Sequence, residues 1–179
     1  VRALADAPGV VSIRNLGLAA GIELAPDAAG PGHGRPPAPG HHRHRIDIMR
    51  ALVYTQPNEV QLQQRPMPQS AAGEVVLQIE AVGICGSDMH AWHGHDPRRK
   101  PGLVLGHEFV GRIVESAAAG FAVGQRFTGN PLITCGVCEY CVQGRNNLCA
   151  NRTMVGMTRP GAFAEFMSIP AASLIAMPQ

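Results

Sequence analysis

From Met49 onward, apolar positions recur at the spacing of short strands separated by Pro, Gly and Asn turn signals. The pattern predicts strands at Ala51 to Tyr54, Val60 to Gln63, Glu74 to Val82, Val110 to Glu115, Gln125 to Thr128 and Ala164 to Ile169. VVLQIEAV, residues 75–82, alternates best, whereas RPMPQ at 65–69 carries two prolines and belongs on an edge or in a loop. Few windows have helical period. The expected fold is therefore mostly β, a largely antiparallel barrel or sandwich.

The first 48 residues divide differently. Residues 10–26, VVSIRNLGLAAGIELAP, are apolar and strand-like around Val11 to Ile13. Residues 28–45 are dominated by Gly, Pro, Ala, His and Arg, offer almost nothing to bury, and are expected to be a disordered linker. Its histidines (His33, His41, His42 and His44) are the kind of flexible ligands that pay ordering entropy to bind a metal, so they read as solvated. The expected organisation is an apolar segment over 1–27, a linker over 28–48 and a domain over 49–179.

Composition narrows the function classes. A net charge of +2 with 16% charged residues gives no basic footprint for nucleic acid. No apolar run reaches membrane-spanning length, so a cytoplasmic location is expected, with neither membrane nor nucleic-acid partners. With aromatic residues at 4%, the core must be built from Val, Leu, Ile, Ala and Met.

The cysteines change the picture. Four of the five lie in CGVCEYCVQGRNNLC, as Cys135, Cys138, Cys141 and Cys149, and only Cys85 stands apart. Four thiolates from one short loop fill a tetrahedral zinc sphere and leave no place for substrate, which describes a structural site. An iron–sulfur cluster suits the same ligands, and a redox CxxC pair, a zinc knuckle or a secreted disulfide scaffold are further alternatives. Upstream, GICGSDMH at 83–90 holds Cys85, and GHEFVG at 106–111 holds His107 and Glu108. Cys, His and Glu with one coordination place left open describe a catalytic kind of zinc site. Gly106, Gly111, Gly124 and Gly129 are expected to serve backbone turns, and Arg98, Arg99 and Lys100 to form a wet turn.

Taken together, Gly83–His90, Gly106–Gly111, Cys135–Cys149 and GAFAEF at 161–166 make residues 49–179 resemble the N-terminal half of the zinc-dependent medium-chain alcohol or polyol dehydrogenases. The resemblance implies a GroES-like, partly open β barrel carrying a zinc-bound structural lobe. It implies that Cys85 and His107 hold a catalytic zinc, with Glu108 either a direct ligand or a partner that exchanges on and off the metal, and that the four clustered cysteines hold a structural one. By the same resemblance Ser87 takes the alcohol proton, His90 passes it to solvent, and Asp88 orients a ligand imidazole. The implied substrate is a small alcohol, polyol or sugar acid, with leanings toward polyol and threonine dehydrogenases. The implied cofactor is NAD or NADP. Residues 1–27 resemble, over a short stretch, a class III omega-aminotransferase fragment, but contain no lysine to hold pyridoxal phosphate.

In the family a doubly wound domain holds the nicotinamide cofactor, and no GxGxxG opening a helix occurs here, so no cofactor-binding residue is assigned in this chain. The expectation is a partial or fused reading frame without hydride transfer of its own, and a homo-oligomer in the full-length form. A non-enzymatic zinc-binding structural module is the alternative.

Overall fold

The structure, a computed structural model, describes the backbone of residues 10–16 and 19–24 and the whole of residues 48–178. The linker expected over 28–45 lies outside the described residues. Strands β1 (Val10–Leu16) and β2 (Ala19–Leu24) form an antiparallel pair, so the strand expected near Val11 to Ile13 falls within β1. Strand β3 (Ile48–Gln56) turns back through Pro57 and Asn58 into β4 (Glu59–Pro66). Pro57 presets the turn, and Asn58, at φ 64°, tolerates the left-handed position that most side chains avoid. Among the described residues β4 pairs only with β3, and its end at Pro66 agrees with an edge assignment for the RPMPQ stretch.

The centre of the fold is β5 (Glu74–Gly83), which pairs antiparallel with β6 (Glu108–Ser116) along one side. Along its other side run β10 (Phe166–Pro170), opposite residues 74–78, and β2, which meets it at Gly21↔Gly83. The seven-stranded sheet continues from β6 to β7 (Arg126–Gly129) and β11 (Leu174–Ala176). Two register shifts in the β5–β6 ladder, at Val76/Leu77 and Ile79/Ala81, add the local twist that curls a sheet around a core. A helix, α1 (Gly86–Trp92), follows β5. A small lobe holds β8 (Leu132–Ile133), α2 (Glu139–Val142), a 3-10 turn at Asn146–Leu148 and β9 (Thr153–Met154). Among the described residues no helix is long and apolar enough to cross a membrane.

Burial follows the pattern of the sequence. On β6, Phe109, Gly111 and Ile113 alternate inward, whereas Ala51–Tyr54 on β3 are buried consecutively. β3 pairs with β4 along one edge, and along the other Leu52 N–H donates to Phe163 O at 2.7 Å and Tyr54 N–H to Leu103 O at 2.9 Å, which lays it beside both loops. Leu52, Val53, Val75, Leu77, Leu105, Ile113 and Ile169 form the inner core, each contributing roughly 1.5–3 kcal/mol by burial.

Residues 103–106 carry no strand of their own, yet they are held like one. Gly161, Ala162 and Phe163 N–H groups donate to Val104, Gly106 and Leu105 carbonyls at 2.8, 2.9 and 3.0 Å. Gly106 sits at φ +88° under the Phe163 ring, and a Cβ on Gly161 would fall on the Leu105 and Gly106 carbonyls. Gly124 also has positive φ, but Gly111 and Gly129 do not. Those two, expected to serve turns, instead admit close neighbours: a Cβ on Gly111 would meet the Gln78 carbonyl, and one on Gly129 the Phe109 ring.

Gly161→Ala should therefore destabilise the protein by about 1–3 kcal/mol, because backbone and not a flexible side chain must yield. Gly86→Ala, where nothing lies within 4 Å, should change stability by less than about 1 kcal/mol. Urea unfolding midpoints of the two variants, compared at equal m, check this.

Candidate active site and metal centres

The β5–β6 ladder ends on the pair Gly83↔Glu108. That register places the residues just past β5 beside those just before β6, and so brings together motifs more than twenty positions apart in sequence. Cys85, at the start of α1, His107 and Glu108 converge with their ligand atoms within 4.8 Å of one another. Cys85 is half-buried, His107 buried and Glu108 exposed, so the cluster opens to solvent on one side. Gly83 leaves room for this: a Cβ there would come 2.7 Å from Glu108 Oε2.

Asp88, buried at 2% exposure, ties the cluster together. Its Oδ2 accepts from Cys85 N–H at 3.1 Å and its Oδ1 from Gly106 N–H at 3.3 Å. His107 Nδ1 lies 3.3 Å from the same Oδ1, near enough for strong Coulombic attraction but out of line for a hydrogen bond, so this buried nitrogen has no hydrogen-bond partner. The Asp88 carboxylate raises the His107 pKa above the ordinary imidazole value; burial opposes the rise and Cys85 adds to it. With Nδ1 turned to Asp88, Nε2 is the nitrogen left for a metal, and it lies 3.5 Å from Ser87 Oγ. Sulfur, imidazole and carboxylate at these separations fit a zinc site with an open position.

His90 is exposed, one helical turn beyond Ser87 on α1, with its ring 6.2 Å from that of His95. His95 stacks in turn on His93 at 5.5 Å, and Trp92, half-buried, meets His93 edge-on at 4.6 Å.

The basic run at 98–100 departs from expectation. Arg98 and Lys100 are exposed, but Arg99 is 3% exposed and forms an ion pair with buried Asp96, NH1 to Oδ2 at 2.8 Å. It also donates to Ser87 O and Oγ and to Gly156 O. A charge run is normally solvated; Arg99 is drawn inward because an acid three residues earlier, two carbonyls and the Ser87 hydroxyl accept its hydrogen bonds. The i, i+3 spacing of Asp96 and Arg99 in DPRRK was the available signal.

In the lobe the four sulfurs stand at the corners of a compact figure: Cys138–Cys141 3.4 Å, Cys149–Cys135 3.6 Å and Cys135–Cys141 3.9 Å. Zinc–thiolate bonds of about 2.3 Å in a tetrahedron require edges of about 3.8 Å, so the cage fits that ion, whereas a disulfide needs about 2.05 Å. Backbone N–H groups of Val137 and Cys138 hold the Cys135 thiol down to about 6. The Cys141 N–H favours the Cys138 thiolate, but the neighbouring thiols and burial outweigh it and push Cys138 up to about 11. Four thiolates cannot coexist there without a cation. Between residues 134 and 153 only Cys149 is buried, and Val137 and Val142 are 81% and 75% exposed, so the lobe has no apolar core of its own.

Cys138→Ser should accordingly lower the zinc content by one ion per chain and speed proteolytic cleavage within 134–152 by more than about tenfold, since local opening then has little to oppose it. Elemental analysis and timed proteolysis with mass-spectrometric mapping check this; unchanged cleavage would show that the lobe holds its shape without metal.

The arrangement matches known proteins in sequence and in shape. Residues 71–179 match the family described as alcohol dehydrogenase GroES-like domain. An L-threonine 3-dehydrogenase of Chelativorans sp. (strain BNC1) is 40% identical over 138 residues, which are 74% of this chain and 40% of the relative. One from Xanthomonas oryzae pv. oryzae (strain MAFF 311018) is 43% identical over 136 residues, 73% of this chain and again 40% of the relative. Among solved structures, a zinc-binding dehydrogenase of Sinorhizobium meliloti 1021 bound to NADP is 37% identical with a TM-score of 0.67, over 73% of this chain and 39% of that one. An alcohol dehydrogenase from Escherichia coli CFT073 complexed with NADH is 33% identical with a TM-score of 0.67, over 74% and 39%. The chain thus spans about 40% of the length of the curated relatives it matches. Its match across well over half its length, on a β fold, makes it a member of the zinc-dependent medium-chain alcohol dehydrogenase family, through the GroES-like domain.

Proposed function

We propose that this chain supplies the zinc-binding catalytic domain of an NAD(P)-dependent dehydrogenase that oxidises a small polar secondary alcohol. The observation that carries the reading is the convergence of Cys85, His107 and Glu108 beside the Ser87 hydroxyl, with Asp88 behind the imidazole. Cys85 Sγ, His107 Nε2 and a Glu108 carboxylate oxygen would hold the catalytic zinc, and the four clustered cysteines the structural one. When bound, zinc at the first site supplies Lewis acidity that lowers the pKa of an alcohol hydroxyl. Asp88 fixes the His107 ring through the Nδ1 side. Ser87 Oγ accepts the alcohol proton as its own proton leaves toward His90, whose exposed ring delivers it to solvent. Exposed Glu108 marks the side from which substrate enters.

The substrate class rests on the relatives. Two of the similar proteins are L-threonine 3-dehydrogenases, and a galactitol-1-phosphate dehydrogenase from Escherichia coli has a TM-score of 0.68 at 29% identity, over 73% of this chain and 38% of that one. Each oxidises, by its name, a hydroxyl on a polar carbon skeleton. The NADH and NADP bound in two of the similar structures support a nicotinamide cofactor.

Two zinc ions per chain are expected, falling to one in Cys85→Ser, as measured by elemental analysis. In the protein with NAD or NADP and L-threonine or galactitol, Ser87→Ala should lower kcat by about 10²-fold at unchanged zinc content. One ion per chain, insensitive to Cys85→Ser, would instead leave a zinc-binding structural module.

A further inference from the structure

Arg99 is the buried charged group that the proposed chemistry leaves without a task. Its side chain is 1% exposed, and its three nitrogens reach four acceptors on three separate segments: Asp96 Oδ2 at 2.8 Å, Gly156 O at 2.9 Å, Ser87 O at 3.2 Å and Ser87 Oγ at 3.4 Å. A buried guanidinium used only for architecture needs the carboxylate and the carbonyls. The contact to Ser87 Oγ is additional, and it falls on the hydroxyl that carries the proton in the reading above.

We propose that Arg99, oriented by Asp96, is a positioning residue for Ser87: it fixes the serine rotamer and engages one lone pair of Oγ, leaving the other lone pair free to face the Cys85, His107 and Glu108 side and the O–H free to face the relay toward His90. This inference rests on the proposed dehydrogenase reading only for its kinetic consequence. A serine hydroxyl has one proton and two lone pairs. Arg99 donates and cannot accept, so the Ser87 O–H must point away from the guanidinium, while His107 Nε2, the nitrogen left for zinc, lies 3.5 Å from the same oxygen. Asp96 holds the guanidinium from the opposite side and is shared with Arg98, whose Nε and NH2 bind the same carboxylate at 2.8 and 3.0 Å. The proton step balances without a new reactant: one proton passes from the alcohol to Ser87 Oγ as another leaves the same oxygen.

Two readouts test this on the zinc-loaded protein. In protein labelled with 13C-serine, three-bond couplings should report one Ser87 χ1 rotamer, averaging over rotamers in Arg99→Met and a single rotamer again in Arg99→Lys. In turnover, Arg99→Met should lower kcat about tenfold with KM within twofold, shift the acidic limb of the kcat profile to higher pH because a positive charge is gone, and cost nothing further in a Ser87→Ala background. A fixed Ser87 rotamer in Arg99→Met, or an equal kcat penalty with and without Ser87, would overturn the proposal. If Arg99→Met fails to fold, Arg99→Lys alone decides: a Ser87 rotamer and pH profile kept from the parent support the role, and their loss at unchanged melting temperature overturns it. A zinc content insensitive to Cys85→Ser would refute the dehydrogenase reading and leave the rotamer measurement to decide this one.

Discussion

The site depends on where a single buried carboxylate can sit. Asp88 leaves solvent almost entirely, and a bare carboxylate in that position would cost several kcal/mol unless donors met it. The donors it finds are Cys85 N–H and Gly106 N–H, one on each side of the gap between β5 and β6, with the His107 ring beside them. Satisfying Asp88 therefore requires the GICGSDMH and GHEFVG segments to be in contact. Cys85, His107 and Glu108, the residues proposed to hold the catalytic zinc, are carried by those segments, so their convergence follows from backbone constraints that exist before any ion binds.

Those constraints are in turn supported from below. The Gly106 backbone can present its N–H to Asp88 because it takes a positive φ under the Phe163 ring, and the 161–163 segment holds it there through three N–H···O bonds. GAFAEF, which contributes no ligand, thus belongs to the site as scaffolding. Arg50 and Glu165 reinforce the arrangement: the guanidinium meets Oε1 at 2.6 Å while the two backbones also exchange hydrogen bonds with carboxylate and carbonyl. The reach from β3 through this segment to Gly106 makes the core and the site mechanically continuous.

Much of this was legible in the sequence, and the reasons differ by element. Strands β3, β5 and β6 were visible because a buried sheet face imposes a period of two or a continuous apolar run, and the four-cysteine lobe because metal ligation fixes spacing. Cys85, His107 and Glu108 could be nominated by residue type, but their meeting depends on the Gly83↔Glu108 register, a long-range property that local pattern does not encode. Arg99 was hidden for the opposite reason: its neighbours Arg98 and Lys100 are indeed exposed, and composition averages over a run in which one member faces inward. Gly111 and Gly129 look like any turn glycine in sequence, whereas their role is to let a carbonyl and a ring approach the chain.

The neck of the four-cysteine lobe has a consequence of another kind. The lobe joins the barrel through two rungs, Leu132↔Met154 and Ile133↔Thr153, closed below by Val155 N–H on Pro131 O at 3.1 Å. Beyond those rungs the chain is organised by its own short-range backbone hydrogen bonds and by the four clustered sulfurs. The stretch from 134 to 152 is therefore tied to the rest of the described chain at its two ends, and its outer face is set by what happens inside the loop. Loss of order in that loop on metal removal would thus stop at the two rungs and leave the Cys85 and His107 cluster in place.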